Sequence, residues 1–221
     1  MATVIFFMPY DPKHPKHQAA HVEYGAKGSI TDSGSIGGKF KNLNSIHDQA
    51  LKGNIAGEIW WDGSGHSTQL QARYAADTQI MIRGHGMAGW DTIEGGRGGE
   101  RISWKDAANR LFCSGLNTNF MGSITCYCCH SAEATDETGS QISNGNPFAQ
   151  NFANYMYHTL GYKNCRFFGY LGSIDSFAQV KDWKNTKDLD KDLYSRAKGG
   201  FELLGTAKQA TVQFHPKTLT V

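Results

Sequence analysis

Gln79-Ile80-Met81-Ile82-Arg83-Gly84-His85-Gly86 and, further on, Gly122-Ser123-Ile124-Thr125-Cys126-Tyr127-Cys128-Cys129-His130-Ser131-Ala132 are the two stretches that decide the fold. Each is a short apolar run that stops abruptly at a reactive residue. Runs of this length, bounded by glycine, read as buried strands. The first ends at His-Gly and the second at Cys-His-Ser. In an open α/β sheet, ligands and chemistry collect at the carboxyl ends of the strands. Two neighbouring parallel strands ending in His and Cys would place a base beside a thiol, which is the minimum equipment of a cysteine nucleophile.

The residues around these stretches fill in the rest. Met87 to Glu100 holds several glycines and no apolar periodicity, so it reads as a loop. Ser103 is a natural N-cap with Asp106 at the third helical position, a capping-box variant. The helix it starts continues through Ala107, Ala108 and Leu111 and stops at Gly115. Thr135 to Asn146 is polar and reads as a mobile loop. Asn146 is expected to cap a second helix with Pro147 at its first position. Phe148, Phe152, Met156 and Leu160 recur every four residues along it, and Gly161 closes it.

Further strands are expected at Val4 to Met8, Glu58 to Trp61, Arg166 to Leu171 and Ala210 to Phe214. Tyr10 to Ser45 reads as a long irregular excursion with a short helix near His17 to Glu23. Ile46 to Leu51 reads as a helical turn or two. Lys181 to Lys198, where Lys and Asp alternate, reads as a solvated helix face. Strands alternating with helices from Thr78 onward point to parallel βαβ units and one α/β domain spanning 1–221.

Composition bounds the partners. The 221 residues suit one sizeable core. A net charge of +2 gives no reason to expect nucleic acid. No apolar run is long enough to span a membrane. The N-terminal apolar run lacks a basic leader and reads as a strand, so a cytoplasmic protein, or one exported without a classical signal peptide, is expected. The five cysteines are an odd number, and three of them crowd into positions 126 to 129, which is not a disulfide framework. A reducing compartment fits that usage.

Among these thiols, Cys126 lies inside its strand, Cys128 near the end, and Cys129 where strand becomes loop. That order makes Cys129 the accessible one. Together the two stretches resemble the caspase-like (clan CD) cysteine peptidases. That group includes caspases, gingipains, separases, CHAT-domain proteases and the autoprocessing domains of large bacterial toxins, the last two being closest in character. Its signatures are an apolar strand followed by His-Gly and a second followed by Cys, with a small residue shortly after. Residues 80–86 look like the first, and residues 124–132 look like the second. A Gly-rich segment and one helix lie between them, as the family's topology requires.

The resemblance implies a three-layer αβα sandwich with a mostly parallel central sheet. It implies a cysteine endopeptidase, of the bacterial effector or toxin-associated kind, acting on a protein or peptide. It makes His85 the general base and Cys129 the nucleophile, with the amides of Gly86 and Cys129 as oxyanion donors. Glycine at 86 would keep a side chain from crowding the substrate carbonyl. An orienting acid is found in some members, and Asp11 and Asp62 are the two candidates. No cofactor is required. An inositol phosphate activator, as in the toxin domains, would need a basic surface. Lys39, Lys41, Lys181, Lys184, Lys187, Lys191 and Lys198 are available, although Asp182, Asp188, Asp190 and Asp192 interleave with the later ones.

Other readings stand beside this one. The same dyad serves thiol acyl transfer, as in a deamidase or a transglutaminase-like enzyme. Cys126, Cys128, Cys129 and His130 could bind a soft metal, though residues 126 and 129 project differently from a strand. His14, His17, His21, His47 and His66 read most simply as solvated loop residues. Asp91, Glu94 and Asp175 are acidic residues that could line a specificity pocket, but their spacing does not place them in one.

Overall fold

The computed structural model describes residues 4–11, 57–71, 76–95, 99–135, 145–175, 192–197 and 200–217. For residues 4, 57–58, 173–175, 192–197 and 200–208 it describes the backbone only. The expected helix at His17 to Glu23, the turn at Ile46 to Leu51 and most of the Thr135 to Asn146 loop lie outside these residues. So do all seven of the lysines considered for an anion site.

A six-stranded, mostly parallel sheet organises the chain. In chain order its strands are β1 (Val4–Met8), β2 (Gly57–Trp60), β3 (Gln79–Arg83), β6 (Ser123–Tyr127), β7 (Arg166–Tyr170) and β11 (Thr211–Phe214). Across the sheet the order is β11-β7-β6-β3-β1-β2. Every pairing is parallel except β11 with β7. The chain moves outward from β1 to β2, then crosses back to β3 on the other side of β1. That reversal makes the carboxyl ends of β1 and β3 the switch point of the sheet, the usual location of a binding crevice.

The strands form where apolar β-formers run unbroken. All five residues of β6 are buried. Successive side chains on a strand point to opposite faces, so both faces of the sheet are covered at β6. Phe6, Phe7, Ile80, Ile82, Ile124 and Phe167 make the apolar sheet core. Each such side chain contributes about 1.5–3 kcal/mol on burial.

Two helices bridge the parallel strands. The first, α1 (Trp104–Cys113), begins with the expected capping box: the Ser103 side chain accepts from the Asp106 amide, and Asp106 accepts from the Ser103 amide. Gly115 follows the helix in the left-handed region, with φ 89°. The second, α2 (Phe148–His158), buries Phe148, Phe152 and Met156 as its periodicity predicts. The Trp104 and Tyr155 rings meet edge to face at 5.7 Å, and Tyr155 Oη donates to Asn109 Oδ1 at 3.1 Å, so α1 and α2 pack side by side.

Three expectations need correction. The segment Met87 to Glu100 is not all loop. Thr92–Glu94 (β4) pairs with Arg101–Ser103 (β5) as an antiparallel ribbon, too short to show a period. Pro147, not Asn146, is the N-cap of α2, and it offers no side-chain cap. Asn146 is instead tied outward, its Oδ1 accepting from Lys217 Nζ at 2.7 Å. Finally, the Lys/Asp-rich segment is not a helix in its described part. Asp192–Ala197 (β9) is the middle strand of a second sheet, between Ser173–Asp175 (β8) and Gly200–Thr206 (β10), antiparallel to both. No described helix is long and apolar enough to cross a membrane.

Candidate functional site

His85 and Cys129 come together because of strand register. β3 and β6 are parallel neighbours, with Arg83 opposite Tyr127. Two residues past that pair the chain reaches His85 on one strand and Cys129 on the other. The approach is close. A methyl group at Gly86 would fall within 3.0 Å of the Cys129 carbonyl oxygen and 3.4 Å from Cβ of Cys128. Glycine here is therefore a packing requirement between the His85 and Cys129 turns. A side chain at 86 would strike the backbone of Cys129 itself.

The histidine backbone is fixed on both sides. His85 N–H donates to the Glu94 carbonyl at 2.8 Å, and the Glu94 amide donates back to His85 at 2.9 Å. The β4–β5 ribbon thus braces the His85 turn. Gly84, just before it, sits against the Tyr10 hydroxyl and Ile93, where a Cβ would collide with both. Tyr10 is almost wholly buried there. Burial pushes its phenol well above the ordinary value; the nearby Cys128 and Glu100 push the same way, and Arg83 and Arg110 oppose. Tyr10 therefore forms a neutral floor against the end of β3.

The cysteines differ sharply in access. Cys126 and Cys128 are 1% and 2% exposed, whereas Cys129 is partly exposed. Burial, and secondarily the neighbouring Cys128, push the Cys126 thiol well above the ordinary range, so it is a poor nucleophile. Among the described residues, no three His, Cys, Asp or Glu side chains converge as metal ligands.

Cys129 lies in a turn that is pinned on three sides. His130 has φ 55°, the only non-glycine residue in the left-handed region among those described. Its amide donates to the Gly172 carbonyl at 2.9 Å, and its Nδ1 lies 2.9 Å from Glu133 Oε2. The other Glu133 oxygen accepts from the Gly172 amide. Burial opposes ionisation of Glu133, but these hydrogen bonds and the charge of His130 leave its carboxyl below the ordinary value. Ser131 then acts as a buried staple. Its Oγ donates to the Cys126 carbonyl at 2.8 Å and accepts from the Tyr170 amide at 2.9 Å. Its carbonyl accepts from the Ala149 amide at 2.9 Å, satisfying an otherwise orphaned N–H in the first turn of α2.

The candidate acids part company. β1 lies beside β3, so Asp11 emerges at the switch point. Its amide donates to Glu100 Oε2 at 3.4 Å, and Glu100 is gripped by Arg110 through 2.7 and 3.1 Å contacts. Asp62 follows the edge strand β2, and its Oδ1 accepts from the Ser64 hydroxyl at 2.6 Å and amide at 2.9 Å. Those bonds hold its carboxyl below the usual range and turn it onto its own loop. Asp91 is exposed and its carbonyl accepts from the Trp104 amide, while Glu94 is the acidic residue whose backbone meets His85. His66 is exposed. From sequence alone Ser131, Glu133 and Tyr10 are assigned no individual role at the site. Glu133 carried a signal, since it stands three residues after His130, a spacing at which side chains meet across one turn.

Comparison with known proteins gave no match to any protein-family model, curated protein or solved structure.

Proposed function

We propose that the chain is a cysteine-type endopeptidase of caspase-like architecture, with His85 and Cys129 as its catalytic dyad. One observation carries this reading. The β3–β6 register delivers His85 and Cys129 to the same point beyond adjacent parallel strands, with Gly86 against the Cys129 carbonyl. A buried floor, a partly exposed thiol and a histidine with a braced backbone, beside the switch point of the sheet, suit nucleophilic catalysis.

In the proposed reaction His85 takes the Cys129 proton, and the thiolate adds to the carbonyl carbon of the scissile peptide bond. The amides of Gly86 and Cys129 hold the resulting oxyanion; each such donor is worth about 3–4 kcal/mol. The C–N bond then breaks as protonated His85 gives its proton to the leaving amine. A thioester remains on Cys129. Water, losing a proton to His85, attacks it and releases the carboxylic acid and the free thiol.

Turnover of a fluorogenic peptide library with mixed P1 residues tests this. Wild type is expected to cleave a subset, and Cys129→Ala and His85→Ala to cleave none while melting like wild type. Full activity in Cys129→Ala, or loss in Cys128→Ala alone, contradicts the assignment. Product that forms only when an amine acceptor is added points instead to acyl transfer by the same thiol.

A further inference from the structure

Directly after Cys129, the chain turns through a left-handed residue that is not glycine. For a residue with a Cβ, such a conformation persists only where the surroundings over-determine it. Here the surroundings are a set of backbone bonds and one carboxylate. Glu133 holds the His130 ring with one oxygen and the Gly172 amide with the other. Gly172 in turn accepts from the His130 amide at 2.9 Å. The ring, the carboxylate and the β7–β8 corner thus close a loop around the turn that presents Cys129. Ser131 fixes the chain immediately beyond through contacts to β6, β7 and α2. Backbone bonds from the Ala132 amide to Tyr170 and from the Glu133 amide to the His130 carbonyl hold the main chain of the turn, while Glu133 is the side chain that grips the His130 ring.

We propose that Glu133 is a positioning residue for the nucleophile: by holding His130 in the left-handed region, it sets the direction in which Cys129 emerges toward His85. This rests on Cys129 being the nucleophile, and it adds a residue to the site that touches neither thiol nor substrate. The pair is only partly buried, at 22% and 27% side-chain exposure, so it acts by geometry more than by bulk stability.

The test is a double-mutant cycle read on the rate at which iodoacetamide modifies Cys129, followed by mass spectrometry, with Cys113 as an internal reference. Glu133→Ala is expected to slow Cys129 about tenfold or more and leave Cys113 unchanged. Glu133→Gln, whose amide can still accept from Gly172 and donate to the other tautomer of His130, is expected to stay within about threefold of wild type. Glycine adopts a positive φ without side-chain strain, so His130→Gly should also stay within about threefold. In that background Glu133→Ala should no longer matter.

Equal Cys129 rates in Glu133→Ala and wild type overturn the proposal. So does an undiminished loss when residue 130 is glycine, or a loss in His130→Gly alone, which would mean that the imidazole acts directly. Should Glu133→Ala fail to fold, Glu133→Asp, one methylene too short to hold both His130 and the Gly172 amide, takes its place: a loss of about tenfold or more supports the proposal and a wild-type rate overturns it. A wild-type Cys129 that reacts no faster than Cys113 overturns the nucleophile assignment itself, and the positioning role with it.

Discussion

Adding one methyl group at Gly86 should damage both the fold and the chemistry. The new Cβ would lie closer than 3.0 Å to the Cys129 carbonyl oxygen, a separation that Cβ atoms essentially never show. The obstacle is backbone, so it cannot swing aside as a side-chain tip would. Relief requires the His85 and Cys129 turns to separate, by on the order of 1 Å. Misplacement of reacting groups on that scale costs roughly 100-fold in rate. Overpacking of this kind costs about 1–3 kcal/mol of stability. For a domain of this size each kcal/mol corresponds to about 2–4 °C in melting temperature. Gly86→Ala is therefore expected to melt about 2–12 °C lower and to lose Cys129 alkylation rate and peptide turnover together. Gly65→Ala is the matched control, since a Cβ there meets nothing within 4 Å. A thermal melt and a timed carboxymethylation experiment read both effects. If Gly86→Ala matches Gly65→Ala in both, the two loops are not in contact as described.

Other perturbations follow from the same contacts. Ser131→Ala leaves the buried Tyr170 amide without its acceptor and should cost about 1–3 kcal/mol, read by denaturant unfolding. Ser103→Ala removes the N-cap of α1 and should cost about 1 kcal/mol without altering Cys129 reactivity. Cys165 gives a pH prediction. Burial pushes its thiol up to about 12, against 9.0 for the free group. Between those values the unfolded chain has released a proton that the folded protein keeps, so this thiol lowers stability as pH rises through that window. Cys165→Ala is expected to move the alkaline unfolding midpoint upward, and an unchanged or lower midpoint would contradict the assigned burial.

The parts of this fold that were readable in the sequence are those in which one local rule dominates. Ser103 and Asp106 form their capping box with no help from distant residues. Ile80, Ile82 and Ile124 are apolar β-formers in runs cut off by glycine, and they became central strands. The β4–β5 ribbon was not readable, because its strands have three residues each and its anchor, the bridge from Glu94 to His85, is long-range. The segment at 192–197 carries charges at a spacing that also suits a helix, and its partners in β8 and β10 decide for a strand. At the candidate site, the proximity of the His85 and Cys129 turns was visible because both residues follow the ends of apolar runs that became adjacent strands. The Tyr10 floor was not, since Tyr10 reaches Gly84 only once β1 pairs with β3. Nor was the Ser131 staple, which joins two strands and a helix that are far apart in the chain.

The most direct test of the central claim is a mass-spectrometric map of iodoacetamide labelling at neutral pH, run in parallel on wild type and His85→Ala. The partly exposed Cys129, on the turn facing that of His85, should label first in wild type, ahead of Cys113 and far ahead of the buried Cys126 and Cys128. Loss of the imidazole should slow Cys129 about tenfold or more, while Cys113 keeps its rate. A different cysteine labelling first, or a Cys129 rate that does not change in His85→Ala, would contradict the dyad.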